Sequence, residues 1–209
     1  SYVSYSTSKS WTLANTQGTR TVYVIFKDAA GNAASAVNDT IVFDNVAPTS
    51  NSISIAGGNT YTTSTSVTLT LASTGASHMK FQNGSGGYAA WVAYSTSHSH
   101  TLANTQGTRT LWVEFRDNVG NVATAVTDTI VLDSVTPSAG TVADGSGTDI
   151  DVQSSTSTIQ ANWSGFSDAT SGINHYQWAI GTSQSGSQIM NWTTVPSTIG
   201  TKTGLSLSN

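Results

Sequence analysis

Gly107-Thr-Arg-Thr-Leu-Trp-Val-Glu-Phe-Arg-Asp-Asn-Val-Gly-Asn121 joins the pattern of a β-strand to that of a tight turn. Its apolar residues recur at every second position, so one face of the strand points into a core and the other points to solvent. The Asp117 to Asn121 end is typical of a turn in which Asp caps backbone amides and Gly-Asn adopts left-handed conformations. The inward residues are Leu111, Val113 and Phe115, and the outward residues are Trp112, Glu114 and Arg116.

The same pattern occurs 89 residues earlier in the chain. Residues 1–48 align without a gap on residues 90–137, and 31 of the 48 aligned positions are identical. Val22, Val24 and Phe26 repeat the inward set of the later copy. A period near 90 residues is too long for helical solenoids and fits a β-sandwich of about 100 residues repeated in tandem.

Period-two alternation predicts further strands around this hairpin. After Pro137 the pattern changes, with Ile159, Ala161 and Trp163 alternating and residues 173–180 forming a further strand. The fold class predicted for the chain is therefore all-β, with tandem β-sandwiches. In the complete copy, the other inward residues are Val67, Leu69, Leu71, Met79, Phe81, Ile130 and Leu132.

The composition supports an ordered β chain and excludes several classes of partner. Of the 209 residues, 32 are Ser and 34 are Thr, which favours strands and turns over helices. The 37% of hydrophobic residues lie in alternating runs, which indicates faces to be buried. The net charge is −4, with only seven Lys and Arg, so we expect no nucleic acid partner. Cysteine is absent, which excludes a thiolate metal site, and no apolar run suggests membrane insertion of this segment.

Several segments carry a resemblance to known families. The complete copy contains Ser77-His-Met-Lys-Phe81, Trp91-Val-Ala-Tyr94 and Asp128-Thr-Ile-Val-Leu-Asp133, and it resembles the immunoglobulin-like repeats of large bacterial surface proteins. The last segment contains Trp163-Ser-Gly-Phe166 and His175-Tyr-Gln-Trp-Ala-Ile-Gly-Thr182, and it is similar to bacterial fibronectin type III-like modules. These resemblances imply the fold and leave the function open, since such modules serve as stalks, adhesins and spacers beside enzymes.

Repeat and resemblance together predict three modules. Residues 1–48 are the C-terminal half of an immunoglobulin-like repeat, 49–137 are a complete repeat, and 138–209 are the N-terminal part of a fibronectin type III-like module. We expect both terminal modules to be truncated here. Their missing strands would come from the rest of the native molecule or from a strand-donating neighbour, since Val24 and Phe26 would otherwise be exposed.

The turns of the two copies are candidate calcium ligands. Asp28, Asn32, Asp117 and Asn121 offer side-chain oxygens, and Asp44 or Asp133 lies near the following linker. Calcium takes about six to eight oxygen ligands, and only three can be named at either turn. A self-capped hairpin turn is the favoured interpretation, and we expect no other metal and no other cofactor.

Catalytic and ligand-binding residues are sparse in this sequence. Glu114 is the single Glu, and no Gly-x-Ser-x-Gly elbow joins a strand to a helix, so we expect no enzyme. His98 and His100 lie on one side of a strand, as a pair of metal ligands would. We expect them to be surface residues instead, because the first copy has Lys9 and Trp11 at the equivalent positions. Tyr23 and Trp112 occupy equivalent outward positions. They are candidates for stacking on sugars or anchoring a protein, with cross-strand packing favoured.

The function predicted from these features is a non-catalytic structural and adhesive segment. It would belong to a large bacterial cell-surface or secreted fibre protein and would space and present binding surfaces outside the cell. The expected partners are a protein or glycan on a cell surface, another copy of the chain, or a strand-donating neighbour. The alternatives are accessory spacer modules of a secreted polymer-degrading enzyme and part of a phage tail or host-recognition fibre.

Overall fold

The computed structural model describes residues 2–183 and 186–207, and this part of the chain is all-β. The ends of the predicted outer modules, Ser1 and Asn209, lie outside the described residues. Within the described ranges, no helix has both the length and the apolar surface that a bilayer crossing requires. The strands are β1 (Gly18–Val24), β2 (Val37–Phe43), β3 (Thr49–Ile55), β4 (Tyr61–Thr62), β5 (Ser66–Thr74), β6 (His78–Asn83), β7 (Val92–Ala93), β8 (Ser97–Thr101), β9 (Gly107–Arg116), β10 (Val126–Leu132), β11 (Thr141–Asp144), β12 (Ile159–Ser164), β13 (Tyr176–Ile180), β14 (Met190–Val195) and β15 (Ile199–Lys202).

The chain divides into two compact units that interleave along the sequence. Because neither unit ends at residue 48 or 137, the three predicted modules remain a prediction. The first unit comprises Ser1–Ile53, Leu71–Thr96 and Trp112–Thr127, and the second comprises Ser54–Thr70, Ser97–Leu111 and Asp128–Asn209.

The complete repeat is a β-sandwich of two sheets. One sheet has the strand order β4-β10-β9-β6-β7, and the other has the order β3-β5-β8. Val131 of β10 pairs in parallel with Tyr61 of β4, whereas β5 and β8 pair antiparallel. The predicted inward residues are all buried, which confirms the alternation inferred for each strand. Their exposures are 0% for Leu69, Leu111, Val113, Phe115 and Leu132, and at most 5% for Val67, Leu71, Met79, Phe81 and Ile130.

The first copy forms only a hairpin within the described residues. Strands β1 and β2 pair antiparallel, with Gly18 opposite Phe43 and Val24 opposite Val37, and they form a two-stranded sheet. Val24 and Phe26 are 41% and 50% exposed, so the predicted inward set is not buried here, in contrast to the later copy. Among the described residues, no further strand pairs with this hairpin, whereas in the complete repeat residues 49–89 carry strands of both sheets.

The last part of the chain contains five strands among its described residues. They form the sheets β11-β12-β15 and β13-β14. Trp163 is 6% exposed, and its ring centroid lies 5.7 Å from that of Tyr176 and 6.2 Å from that of Trp178. The strand predicted over 173–180 starts only at Tyr176, because a turn that ends at Gly172, with a φ of 73°, precedes it.

Candidate functional site

The outer face of the five-stranded sheet carries the charged and aromatic side chains of the complete repeat. β9 presents Trp112, Glu114 and Arg116 at alternate positions, and the neighbouring strand β6 presents Lys80. All four are half-buried, although the sequence predicts full exposure on β9. We call this cluster the aromatic face, and it comprises Lys80, Tyr88, Trp91, Trp112, Glu114 and Arg116.

An ion pair occupies the middle of the aromatic face. Lys80 Nζ lies 2.9 Å from Glu114 Oε2, and the two side chains are 20% and 21% exposed. Burial raises the pKa of Tyr88, as do the negative charge of Glu114 and the hydrogen bond that the tyrosine hydroxyl donates to that carboxylate. Glu114, the only glutamate of the sequence, therefore pairs with the Lys80 ammonium and accepts a hydrogen bond from the Tyr88 hydroxyl. Its carboxylate has a structural role in these contacts.

Two cations lie over the rings of the aromatic face. Lys80 Nζ is 4.4 Å from the ring centroid of Tyr88 and 4.7 Å from that of Trp91. Arg116 Cζ is 4.5 Å from the same Trp91 centroid. Such cation–π contacts contribute about 0.5–1 kcal/mol each at exposed sites and more where water is excluded. They attach the loop that carries Tyr88 and Trp91 to the sheet.

One of these contacts recurs in the first copy with different residues. Tyr2 is the counterpart of Trp91 and Lys27 is the counterpart of Arg116, at the same offset of 89. Lys27 Nζ lies 5.3 Å from the Tyr2 ring centroid. Both partners have changed and the cation–ring pair is kept, which identifies it as a feature of the repeat rather than of one module.

The two predicted ligand-stacking residues lie in different surroundings. Trp112 is half-buried and shares the outer face of β9 with Glu114 and Arg116. Tyr23 is 67% exposed and lies opposite Asn38 in the β1–β2 hairpin. Their equivalent outward position follows from the repeat, and their role in ligand binding remains a prediction.

The Asp117 turn uses the calcium candidates of the complete repeat to cap its own backbone. Asp117 Oδ1 accepts hydrogen bonds from the backbone amides of Val119, Gly120 and Asn121 at 2.7–2.9 Å, and Oδ2 accepts one from Asn121 Nδ2 at 2.7 Å. Asn121 Nδ2 also donates to the backbone oxygen of Asp44 at 3.3 Å. Burial by itself raises the pKa of Asp117, but these hydrogen bonds outweigh it and hold the pKa below its usual value.

The first copy forms the same turn. Asn32 donates to Asp28 from its backbone amide and from its side chain, each at 2.8 Å. The side-chain bond from Asn32 lowers the pKa of Asp28, followed by the backbone bond from the same residue. Asp44 and Asp133, proposed to complete a cage, accept instead from the amides two residues later. Among the described residues, no group of three or more His, Asp or Glu side chains is placed to hold a metal.

The histidine pair is not a surface pair, and this prediction was wrong. His98 lies opposite Leu69, and His100 lies opposite Val67, in the antiparallel β5–β8 register. Directly opposite residues point to the same side of a sheet, so both imidazoles lie on the inner side at the sheet edge. Burial lowers the pKa of His100, and repulsion from His98 lowers it further. Their ring centroids are 6.4 Å apart.

Lys80 and Tyr88 are the members of the aromatic face that the sequence did not single out. One signal for Lys80 was available: it alternates with Met79 and Phe81, so it must point outward beside the outward residues of another strand. Tyr88 follows a Gly-rich stretch, and its position depends on how that loop folds back. No local pattern specifies this.

Comparison with known proteins places the fold in context. No protein-family model and no curated protein matches the chain. Among solved structures, the chain is similar to the FN1-FN3 domains of chicken CNTN1, with 13% sequence identity and a TM-score of 0.37. The match covers 90% of this chain and 66% of that one, so the chain spans slightly less than two thirds of its length. The assignment as an all-β chain with a β-sandwich therefore rests on its own strand order and burial.

Proposed function

We propose that this chain is a non-catalytic structural and adhesive segment of a bacterial cell-surface or secreted fibre protein. In this role the sandwich modules provide length, and the aromatic face provides a surface for a protein or glycan. The extracellular location and the bacterial origin belong to the proposal, and the support for them is the resemblance of the repeats.

The observation that carries this proposal is the repetition of one structural unit. The β1–β2 hairpin and the β9–β10 pair share the Asp-capped turn and the cation–ring contact, 89 residues apart. A unit repeated in this way extends a molecule without adding chemistry. The core of the complete repeat is buried, and this suits a spacer role, because a well-packed sandwich resists extension under tension.

Force spectroscopy tests the structural half of the proposal. Pulling the chain from its two ends should unfold the complete repeat in one event that releases on the order of 250 Å of contour length, since each residue extends by about 3.3–3.6 Å. A smooth extension without such an event contradicts a mechanical role. Release of sugars or peptides from a polymer incubated with the chain contradicts the non-catalytic assignment.

The adhesive half is tested by binding to a glycan panel and to whole cells. We expect Trp112→Ala to reduce binding about tenfold or more, because a stacked or buried ring is the typical anchor of such surfaces. The matched control is Trp192→Ala, which removes a 62% exposed tryptophan on β14, a strand that carries no residue of the aromatic face. Equal binding by the wild type and both variants, or equal loss in both, contradicts the assignment to the aromatic face.

A further inference from the structure

The aromatic face carries a positive charge that its internal ion pair does not balance. Lys80 and Glu114 neutralise each other, with Nζ and Oε2 2.9 Å apart. Burial and the charge of Glu114 raise the pKa of Tyr88, so its hydroxyl stays protonated and uncharged at neutral pH. The charge of Arg116 remains, and the face is therefore net positive on a chain whose net charge is −4.

The Arg116 guanidinium contacts a ring but has no hydrogen-bond acceptor within the described residues. Its carbon lies 4.5 Å from the Trp91 ring centroid. A guanidinium carries its N–H donors in one plane, and no atom of the described residues accepts a hydrogen bond from them. Arg116 is half-buried, so the ring contact and the surrounding sheet restrict its movement. A restricted guanidinium with available donors is suited to a carboxylate, which accepts a parallel pair of hydrogen bonds from it.

The carboxylates closest to Arg116 in the sequence do not pair with it, and Glu114 is already in the ion pair. Asp117 is 7% exposed, and both of its carboxylate oxygens accept hydrogen bonds within its own turn. In the first copy, Ile25 stands at the position of Glu114. Lys27 keeps a positive charge at the position of Arg116. The charge at this position is therefore kept without the carboxylate two residues before it.

A tryptophan ring lies on the same strand face as the guanidinium. Trp112 precedes Arg116 by four residues on β9, so both side chains point outward. At a rise of about 3.3 Å per residue, their Cα atoms are about 13 Å apart, a distance that several linked sugar rings span. The C–H face of a sugar stacks on a flat ring, and its hydroxyls bind polar groups beside that ring. Glu114 and its partner Lys80 supply such groups.

We propose that the aromatic face binds an acidic oligosaccharide, with a sugar ring on Trp112 and a sugar carboxylate on the Arg116 guanidinium. The ring contributes affinity for sugars in general, and the guanidinium selects the acidic ones. Since this ligand occupies the aromatic face, its assignment rests on the proposed adhesive role. Neutral glycans and acidic peptides are then weaker ligands.

The test measures binding of the whole chain to a panel of acidic oligosaccharides by titration calorimetry. The panel contains uronic acid and sialic acid oligosaccharides, each paired with its methyl ester, which keeps the sugar rings and removes the negative charge. At least one acidic form should bind about tenfold or more tightly than its ester, as expected for a charge-assisted pair of hydrogen bonds. Added salt should weaken the acidic form and leave the ester nearly unchanged, because salt screens exposed charges.

Two variants and a control assign the acidic preference to Arg116. Arg116→Gln should lower the affinity of the acidic form to that of the ester, whose own affinity should stay the same. Arg116→Lys should keep part of the preference, because an ammonium retains the charge but not the parallel donors. Lys202→Gln removes a positive charge on β15, a strand that carries no residue of the aromatic face, and should change neither affinity. Trp112→Ala should weaken both forms by the same factor.

The acidic preference is overturned if no acid binds, if every acid binds only as well as its ester, or if a glutamate-rich peptide binds more tightly than the acids. These comparisons use the wild type and do not depend on the folding of a variant. Equal loss of acid and ester in Arg116→Gln also overturns it. Equal binding of acid and ester, with both weakened in Trp112→Ala, overturns the acidic preference alone and leaves the adhesive role intact. Binding that Trp112→Ala does not reduce contradicts both.

Discussion

The Arg116 guanidinium carbon lies 4.5 Å from the Trp91 ring centroid, and the same pair is made by Lys27 and Tyr2 in the preceding copy at 5.3 Å. Both ring and cation have been exchanged for a related type while the contact persists. The physical requirement is thus a positive charge over an aromatic ring. In the complete repeat this contact joins the end of β9 to the residue directly before β7.

A double-mutant cycle on this pair gives the first prediction. The coupling free energy between Arg116→Ala and Trp91→Ala should be about 0.5–1 kcal/mol, because removing either partner already removes the contact. It is measured by urea unfolding of the wild type, both single variants and the double variant. Strictly additive effects of the two substitutions would show that the contact contributes no stability.

A glycine in the last part of the chain gives the second prediction. A Cβ on Gly140 would lie 2.5 Å from the Phe166 backbone nitrogen and would also clash with the Ser164 carbonyl oxygen. Because backbone atoms cannot move aside as a side chain does, Gly140→Ala should lower the free energy of unfolding by about 1–3 kcal/mol. The control is Gly147→Ala, where a Cβ meets nothing within 4 Å and stability should change by less than about 0.5 kcal/mol. Equal effects of the two substitutions would argue against the packing described.

The half-buried His100 gives a prediction near neutral pH. Its pKa is lowered in the folded state by burial and by His98, so the unfolded chain takes up the proton more readily. Stability should therefore be full above the unfolded pKa of about 6.5 and should fall as the pH drops below it through the folded pKa. The free energy of unfolding is measured between about pH 7.5 and 5.5, where His100→Gln should show a shallower decline. A decline of unchanged slope in that variant would contradict this assignment.

The Asp117 turn gives a prediction at lower pH. Its carboxylate is held in the charged form by four hydrogen bonds, so its pKa is lower in the folded than in the unfolded chain. The stabilisation should be present above the unfolded pKa of about 3.9 and should be lost as the pH falls through the lower, folded pKa. Asp117→Asn should lower the melting temperature at neutral pH and flatten its acid decline. Asn118→Ser, an exposed control in the same turn that changes no charge, should leave the acid decline as in the wild type.

The alternation of apolar residues was sufficient to predict the core of the complete repeat. Leu111 and Phe115 have polar or aromatic neighbours on either side, and this contrast determines which face is buried. At His98 and His100 the alternation pattern is not sufficient. They alternate with Ser and Thr, which give no apolar contrast, so period two places them on one side but does not say which side faces the core.

The aromatic face was predictable only in part, for a related reason. The outward positions of Trp112 and Glu114 follow from the strand period. The contacts that Lys80 and Glu114 make with Tyr88 and Trp91 do not follow from it, because these two rings come from a loop and a following segment that have no periodic pattern. The position of such a loop against a sheet depends on contacts between residues that are distant in the sequence, and a single sequence does not specify these contacts.

The central claim is that two hairpins of one repeat, 89 residues apart, differ in burial among the described residues: the apolar residues of the later hairpin lie in a closed core, and those of the earlier hairpin are half-exposed. The most direct measurement compares the unfolding free energies of Phe115→Ala and Phe26→Ala, which remove the same side chain at equivalent positions that are 0% and 50% exposed. We predict a loss of about 3–5 kcal/mol for Phe115→Ala and of less than about 1 kcal/mol for Phe26→Ala. Equal losses at the two positions would contradict the account.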